Sequence, residues 1–428
     1  MAFYICSNCE YGSASWIGKC PNCGGWNTMA QRQEKASSSS KEGIKKITLT
    51  PLSKIKTNQK EKKKTGIFEF DRVVGVGFVP GEVLFLSGEP GVGKSTLLLQ
   101  ALQHLKTMYI SGEESAEQVK SRAQRLDIQL INFSFSNDLQ VDGIIDYIET
   151  SESKPDVLVI DSIQTVYSKD IDTPPGSINQ LKECTSKLIS LAKKENVIVI
   201  LIGHITKDGD IAGPKTLEHL VDCVLNFEGE QISNFRILRS SKNRFGSTDE
   251  IGIFEMKEGG LTEVSNPLVF LEHMDEAVPG KSIVGVHEGK RQLFYEIQTL
   301  AVPTVLSIPR RVVKGVDYNK VQLLLAVIKK HLSIPLDSFD IYVNVIGGVK
   351  ISSPLADLGI IASLYSSLKN ISIPLKTVFL GEVGLLGEVR KGPSEEKIIH
   401  ESRRLGFKNV YSSKNIASIK QIKNIIAP

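Results

Sequence analysis

The sequence predicts an α/β protein with a small cysteine-built unit in front and a second α/β unit behind. Three observations predict it. From about Gly66 onward, short apolar runs alternate with helical stretches. One of those runs leads into a glycine-rich loop followed by an apolar helix. Four of the six cysteines fall within the first 23 residues. The length of 428 residues leaves room for two to four domains at roughly 100–200 residues each.

Composition excludes several classes. Hydrophobic residues make up 41% and charged residues 23%, ordinary globular values that rule out wholesale disorder and fibrous repeats. No run approaches 18 apolar residues; the longest, 197–202, fits a buried strand, so no membrane span is expected. The start, Met1-Ala2-Phe3-Tyr4-Ile5-Cys6, lacks the basic and apolar regions of a signal peptide, and a cytoplasmic location is expected. The net charge of +4 is uneven: residues 1–65 carry +8 and the rest −4. That basic end suits either attraction to nucleic acid or a solvated tether.

The first element is the cysteine unit, residues 1–28. Cys6-Ser7-Asn8-Cys9 and Cys20-Pro21-Asn22-Cys23 are two CxxC turns with ten residues between them. Each turn points two thiolates at one ion, and together they complete a tetrahedral sulfur shell suited to Zn2+. Four thiolates leave no position for water, so the site is structural. About 28 residues cannot build a core without it. Trp16, Lys19 and Trp26 suit contact with nucleic acid or with protein equally well. Cys184 and Cys223 stand alone and read as small buried apolar residues.

Residues 29–65 read as a basic flexible linker, with Ser37-Ser38-Ser39-Ser40 and Lys60-Glu61-Lys62-Lys63-Lys64. The next unit, 66–265, has apolar strands at 83–87, 107–111, 156–161, 196–203 and 221–228. Extended segments at 234–240 and 250–255 flank a polar turn at 242–248. A second boundary falls near 264–270, and 266–428 forms the last unit, with elements at 341–346, 356–368 and 378–381.

Gly88-Glu89-Pro90-Gly91-Val92-Gly93-Lys94-Ser95, followed by Thr96, is a phosphate loop between strand 82–87 and helix 96–105. Its glycines let backbone N–H groups converge on phosphate oxygens, and the helix N-terminus adds its dipole. Lys94 is expected to reach the β- and γ-phosphates of ATP, and Ser95 to ligate Mg2+. Asp161 ends a buried strand and is the expected acid of the Mg2+ shell, with Ser162 assisting. Glu113 is the candidate base for the attacking water and Glu114 the runner-up; alternatively both acids cap the helix near Ser115.

These features occur together with Lys242-Asn243-Arg244-Phe245-Gly246. The combination closely resembles the bacterial DNA-repair family RadA, also called Sms, essentially from end to end. Residues 203–209 and 212–219 look like that family too. The resemblance implies a zinc ribbon, a RecA-like P-loop ATPase core and a C-terminal domain like that of Lon protease (ribosomal S5 domain 2-like). It implies a hexameric ring motor that binds single-stranded and branched DNA and drives branch migration beside the RecA recombinase. Glu113 matches the catalytic glutamate of RecA-like ATPases. Lys242 and Arg244 are expected to reach a neighbouring subunit's γ-phosphate or to hold DNA phosphates. Lys207 and Lys215 fall where such proteins face a central channel, and His204 is a candidate γ-phosphate sensor or a packed histidine.

In the last unit Leu355 occupies the place of the Lon nucleophile, and a leucine cannot attack a carbonyl. That predicts a proteolytically inactive scaffold. Arg310, Arg311 and Lys314, and also Arg403, Arg404 and Lys408, are basic clusters suited to DNA phosphates or to solvent. The stretch Lys391-Gly392-Pro393-Ser394 departs from the family pattern. Two competing functions remain: an ATP-dependent Lon-like protease, and a RecA-like regulatory ATPase that never touches DNA.

Overall fold

A computed structural model describes residues 4–9, 11–31, 50–51, 53, 61–204, 214–229, 234–271 and 276–427. Its first unit is a three-stranded antiparallel sheet, in which β1 (Tyr4–Cys6) pairs with β2 (Gly12–Ser13) and β3 (Met29–Gln31). Strand β3 carries this unit past position 28, because buried Met29 packs with Cys6 and Cys20.

The middle unit holds α1 (Phe68–Val74), β4 (Val83–Gly88), α2 (Lys94–Ala101), β5 (Thr107–Ser111), α3 (Ala116–Arg125), β6 (Phe133–Ser136) and α4 (Val141–Thr150). It continues with β7 (Val157–Asp161), α5 (Ile178–Glu195), β8 (Ile198–His204), α6 (Pro214–Glu218), β9 (Cys223–Glu228), β10 (Phe235–Asn243), β11 (Ile251–Lys257) and β12 (Gly260–Glu263). These strands form one sheet in the order β12-β11-β10-β9-β4-β8-β7-β5-β6. From β9 to β6 every pair is parallel; β10, β11 and β12 add antiparallel. Strand β4 is buried throughout. Its alternation sends Leu84 and Leu86 to one core, with Leu97 and Leu98 of α2. Val83 and Phe85 go to the other, with Leu188 and Leu191 of α5. Burial on both faces is why such strands read as continuous apolar runs.

Two boundaries differ from the expectation. Residues 61–65 dock on this unit: Lys63 and Phe78 exchange backbone hydrogen bonds at 2.9 and 2.8 Å, and Thr65 donates twice to Asp71 at 2.9 Å. Asp71 is buried and needs those donors. The expected turn at Lys242 is strand instead. A bulge between Ser240 and Lys242 lets β10 keep pairing with Val224 and Cys223, so the turn begins at Arg244.

The last unit holds β13 (Lys281–Glu288), β14 (Arg291–Pro303), β15 (Arg311–Lys314), α7 (Tyr318–Leu332), β16 (Phe339–Val345), α8 (Asp357–Lys369) and β17 (Thr377–Phe379). The small pair β18 (Glu382–Val383) and β19 (Val389–Arg390), then α9 (Glu395–Arg404), β20 (Asn409–Tyr411) and the short α10 (Ile422–Ile425), complete it. Its mixed sheet runs β15-β16-β14-β13-β17-β20. The core does not stop at the expected boundary. Ile237 of β10 and Ile251 and Ile253 of β11 share one apolar cluster with Phe270, Val284 and Tyr295. Ion pairs Arg291–Glu69 (2.7 Å), Arg239–Glu288 (2.6 Å) and Lys290–Glu250 (2.8 Å) register the two units on each other. No helix among the described residues is long and apolar enough to cross a membrane.

Candidate metal and nucleotide sites

The ribbon folds around its cysteines. The Sγ atoms of Cys6, Cys9, Cys20 and Cys23 all lie within 4.8 Å of one another, with Cys6–Cys23 at 3.6 Å and Cys9–Cys20 at 3.5 Å. A tetrahedron with Zn–S bonds of about 2.3 Å has edges of about 3.8 Å, so the cluster fits Zn2+. The second knuckle closes through Cys20 N–H to Gly25 O and Gly24 N–H to Cys20 O, both 2.9 Å. Gly24 sits at φ +70°, a conformation that favours glycine.

Strand β4 delivers the phosphate loop. Gly91 and Gly93 adopt φ of +77° and +109°, and a Cβ on Gly88 would meet Phe227 O at 2.5 Å. Lys94 Nζ donates to the carbonyls of Gly88 (2.9 Å) and Glu89 (3.1 Å). Burial holds its ammonium below the usual lysine range, opposed by Asp161 and Glu113. Ser95 Oγ donates to Asp161 Oδ2 at 2.9 Å, so the two expected Mg2+ ligands meet across the β4 and β7 strand ends. Burial raises the Asp161 carboxyl, and hydrogen bonds from Tyr109 and Ser95 oppose that.

Two contributors were missed in the sequence. Tyr109 is buried and donates its hydroxyl to Asp161 Oδ2 at 2.5 Å. The available signal was a tyrosine inside a buried strand, whose hydroxyl must find a partner. Arg236 of β10 is buried behind the loop and donates Nε–H to Val92 O at 3.0 Å. Only the tertiary fold brings those residues together.

The acids after β5 separate. Glu114 is held by a bidentate pair with Arg122, one arm at 2.7 Å. The cap of α3 is Ser115, which with Gln118 forms a reciprocal capping box. Neither acid serves as that cap. Glu113 is exposed at the end of β5, and its charge acts on Lys94 and Asp161. Strand β8 ends in His204, in register beside Gly88; its side chain, Lys207 and the side chain of Lys215 lie outside the described residues.

Each residue of 242–246 has a defined contact. Lys242 Nζ donates to Glu218 O (2.8 Å) and His219 O (3.2 Å), at the end of α6. Asn243 accepts from Phe245 N–H at 2.8 Å and donates to Val73 O at 3.3 Å. Arg244 pairs with Asp222 at 3.2 Å while its side chain stays 58% exposed. Lys193 lies 5.8 Å from the Phe245 ring centroid. Gly246 abuts Gly75, where a Cβ would meet Gly75 Cα at 2.9 Å. The group sits at the opposite end of the strands from its own phosphate loop. Asn243 pairs with Cys223, which pairs with Leu84, while the loop leaves β4 at Gly88, about 13 Å along the strand.

In the last unit Arg310 is exposed, but Arg311 donates to the carbonyls of Leu336 (2.8 Å), Arg310 (3.0 Å) and Phe339. Its guanidinium thereby braces the turn before β16. Arg404 pairs with Glu401. Leu355 is 1% exposed, and the 391–394 stretch packs on it, since a Cβ on Gly392 would meet Leu355 Cδ2 at 2.5 Å.

A phosphate loop on a parallel sheet, faced by an acid at the end of the strand two places away, defines a P-loop ATPase of the RecA-like class, here joined to a zinc ribbon. An ATPase model described as KaiC matches residues 63–157, and a zinc-ribbon model described as a rubredoxin metal-binding domain matches 4–31. The DNA repair protein RadA of Bacillus subtilis (strain 168) is 45% identical over 95% of this chain and 91% of its own length. That of Listeria monocytogenes is 43% identical over 96% and 92%, and that of Halalkalibacterium halodurans 44% over 95% and 91%. The chain belongs to the RadA family of DNA repair proteins. It is an ATP hydrolase that uses Mg2+, and its four ribbon cysteines hold Zn2+.

Proposed function

We propose that this chain is a DNA-dependent ATPase motor in the cytoplasm. It binds single-stranded and branched DNA and drives branch migration beside the RecA recombinase, as a ring of copies, six by family analogy. The observation that carries this reading is the position of Lys242 and Arg244, at the end of the strands remote from their own phosphate loop and partly exposed. A cation so placed serves a neighbouring copy's nucleotide or a polynucleotide, and the first of these requires assembly.

Within one site, Lys94 binds the β- and γ-phosphates, and Ser95 and Asp161 hold Mg2+, which neutralises charge on the phosphates. Tyr109 orients Asp161 through the 2.5 Å hydrogen bond. Glu113 orients the attacking water and takes its proton, because Glu114 is committed to Arg122. Arg244 of a neighbour meets charge developing on the γ-phosphate, and Lys242 fixes the end of α6. The last unit acts as a scaffold and DNA platform through exposed groups such as Arg310. Its buried Leu355 argues against proteolysis.

ATP turnover measured with and without single-stranded DNA, on protein weighed in solution at the same time, tests the reading. DNA should raise the rate several-fold on a species that is a multiple of the chain mass. A lone chain with an unchanged rate would favour a nucleotide switch that ignores DNA.

A further inference from the structure

Arg244 is held twice by one residue. Its main-chain N–H donates to Asp222 O at 3.1 Å, and its Nη1 donates to Asp222 Oδ1 at 3.2 Å. Asp222 stands just before β9 and is 4% exposed. Its own N–H donates to Val83 O at 2.9 Å. Its Oδ2 accepts from Val83 N–H at 3.1 Å and from Lys193 Nζ at 2.6 Å. The carboxylate is thereby fixed. One oxygen is committed to the start of β4 and the last turn of α5, and the other faces Arg244.

This arrangement is costly. A second buried acid, Glu82, lies close by: burial, reinforced by Asp222, raises its carboxyl. Among the described residues Glu82 Oε1 has no hydrogen-bond partner. Two neighbouring acids taken out of water weaken a fold, and such placements mark functional ground.

We infer that Asp222 is the positioning residue for Arg244, holding its guanidinium in the orientation from which it meets a neighbouring copy's γ-phosphate. The inference rests on the reading that Arg244 acts on that neighbour's nucleotide. An unanchored arginine samples many rotamers, and reaction must wait for the right one. Here Nη1 is spent on a buried carboxylate while the side chain stays 58% exposed, so the rest of the planar fork keeps a set direction. A carboxylate suits the task better than an amide, because the charge-assisted bond is shorter and stronger. The anchor is also tied to the chain's own site. Val83 opens β4, and β4 ends at Gly88 in the phosphate loop. One strand thus carries the receiving site at one end and the mount of the donated arginine at the other.

Asp222→Asn keeps the size of the side chain and an acceptor for Val83 N–H, and removes the charge. Its turnover at saturating ATP should fall about tenfold, with KM for ATP, nucleotide affinity and solution mass within about twofold of wild type. Mixed in equal amounts with Lys94→Ala and allowed to reassemble, it should recover. About half of its sites then face an intact Asp222 and Arg244, so turnover per Asp222→Asn chain should climb from about a tenth to about half of wild type. Damage confined to a copy's own fold is not repaired by a neighbour. Arg244→Lys is the second variant, at a side chain exposed enough for the change to leave folding intact. A single ammonium keeps the charge but does not hold Asp222 and meet a phosphate as a fork does, so it should be at least as slow as Asp222→Asn. Wild-type turnover in either variant overturns the proposal. So does a failure of Asp222→Asn to recover in the mixture while Arg244→Ala recovers with Lys94→Ala. If neither mixture recovers, the neighbour reading itself falls and the positioning role goes with it.

Discussion

Glu113 and Glu114 are adjacent in sequence and differ in surroundings. Glu114 is neutralised by Arg122, while Glu113 stands at the strand end where its charge reaches Lys94. Glu113→Gln should therefore cut kcat by about 10²–10⁴, with nucleotide affinity within a few-fold of wild type. Glu114→Gln should cost far less. Single-turnover hydrolysis and nucleotide titration of both variants check this; a larger loss at Glu114 would transfer the role. A second titratable group lies beneath the sheet. Glu82 is fully buried, and burial, reinforced by Asp222, pushes its carboxyl from 4.5 up to about 7. The folded chain thus keeps a proton that the unfolded chain has released between about pH 4.5 and 7. Stability must fall as pH rises through that window and level off above it. The full effect is about 3 kcal/mol. Glu82→Gln should match wild type in unfolding midpoint near pH 5 and exceed it at pH 8. A constant difference between the two proteins across that range would contradict the assignment.

Elements differ in how far the sequence announces them. Strands β4 and β7 were readable because both faces are buried, so Val83–Gly88 and Val157–Asp161 are unbroken in apolar character until they reach the site. The phosphate loop and the two knuckles were readable because phosphate and zinc dictate local spacing. The bulge after Ser240, which carries β10 through Lys242, was not, because it depends on pairing with β9. Tyr109 and Arg236 were missed for the same reason: their partners are 52 and 144 residues away. The ribbon's core is Cys6, Cys20 and Met29, packed with a few partly buried side chains. A strong chelator should therefore melt the ribbon alone. Limited proteolysis should then cut ahead of residue 61, while the ATPase unit keeps its melting temperature and its basal turnover. A shared loss of both would mean the ribbon braces the sheet.

Across the whole molecule, the decisive geometry is the separation between Lys94 and Arg244 on one sheet. Lys94 closes the loop at the Gly88 end of β4, while Arg244 pairs with Asp222 beside the Val83 end. On the proposed reading, the cation that completes each site comes from the Arg244 of a neighbour. Lys94→Ala and Arg244→Ala should each abolish turnover when purified alone. Mixed in equal amounts and allowed to reassemble, they should recover it. A site is complete only where an Arg244→Ala copy supplies Lys94 and its Lys94→Ala neighbour supplies Arg244. Random mixing makes about one interface in four of that kind, so about a quarter of wild-type turnover should return if Arg244 acts in trans on the phosphate. Arg244 holding DNA instead predicts a different result. Basal turnover without DNA would then survive in Arg244→Ala alone, and only its stimulation by single strands would be lost.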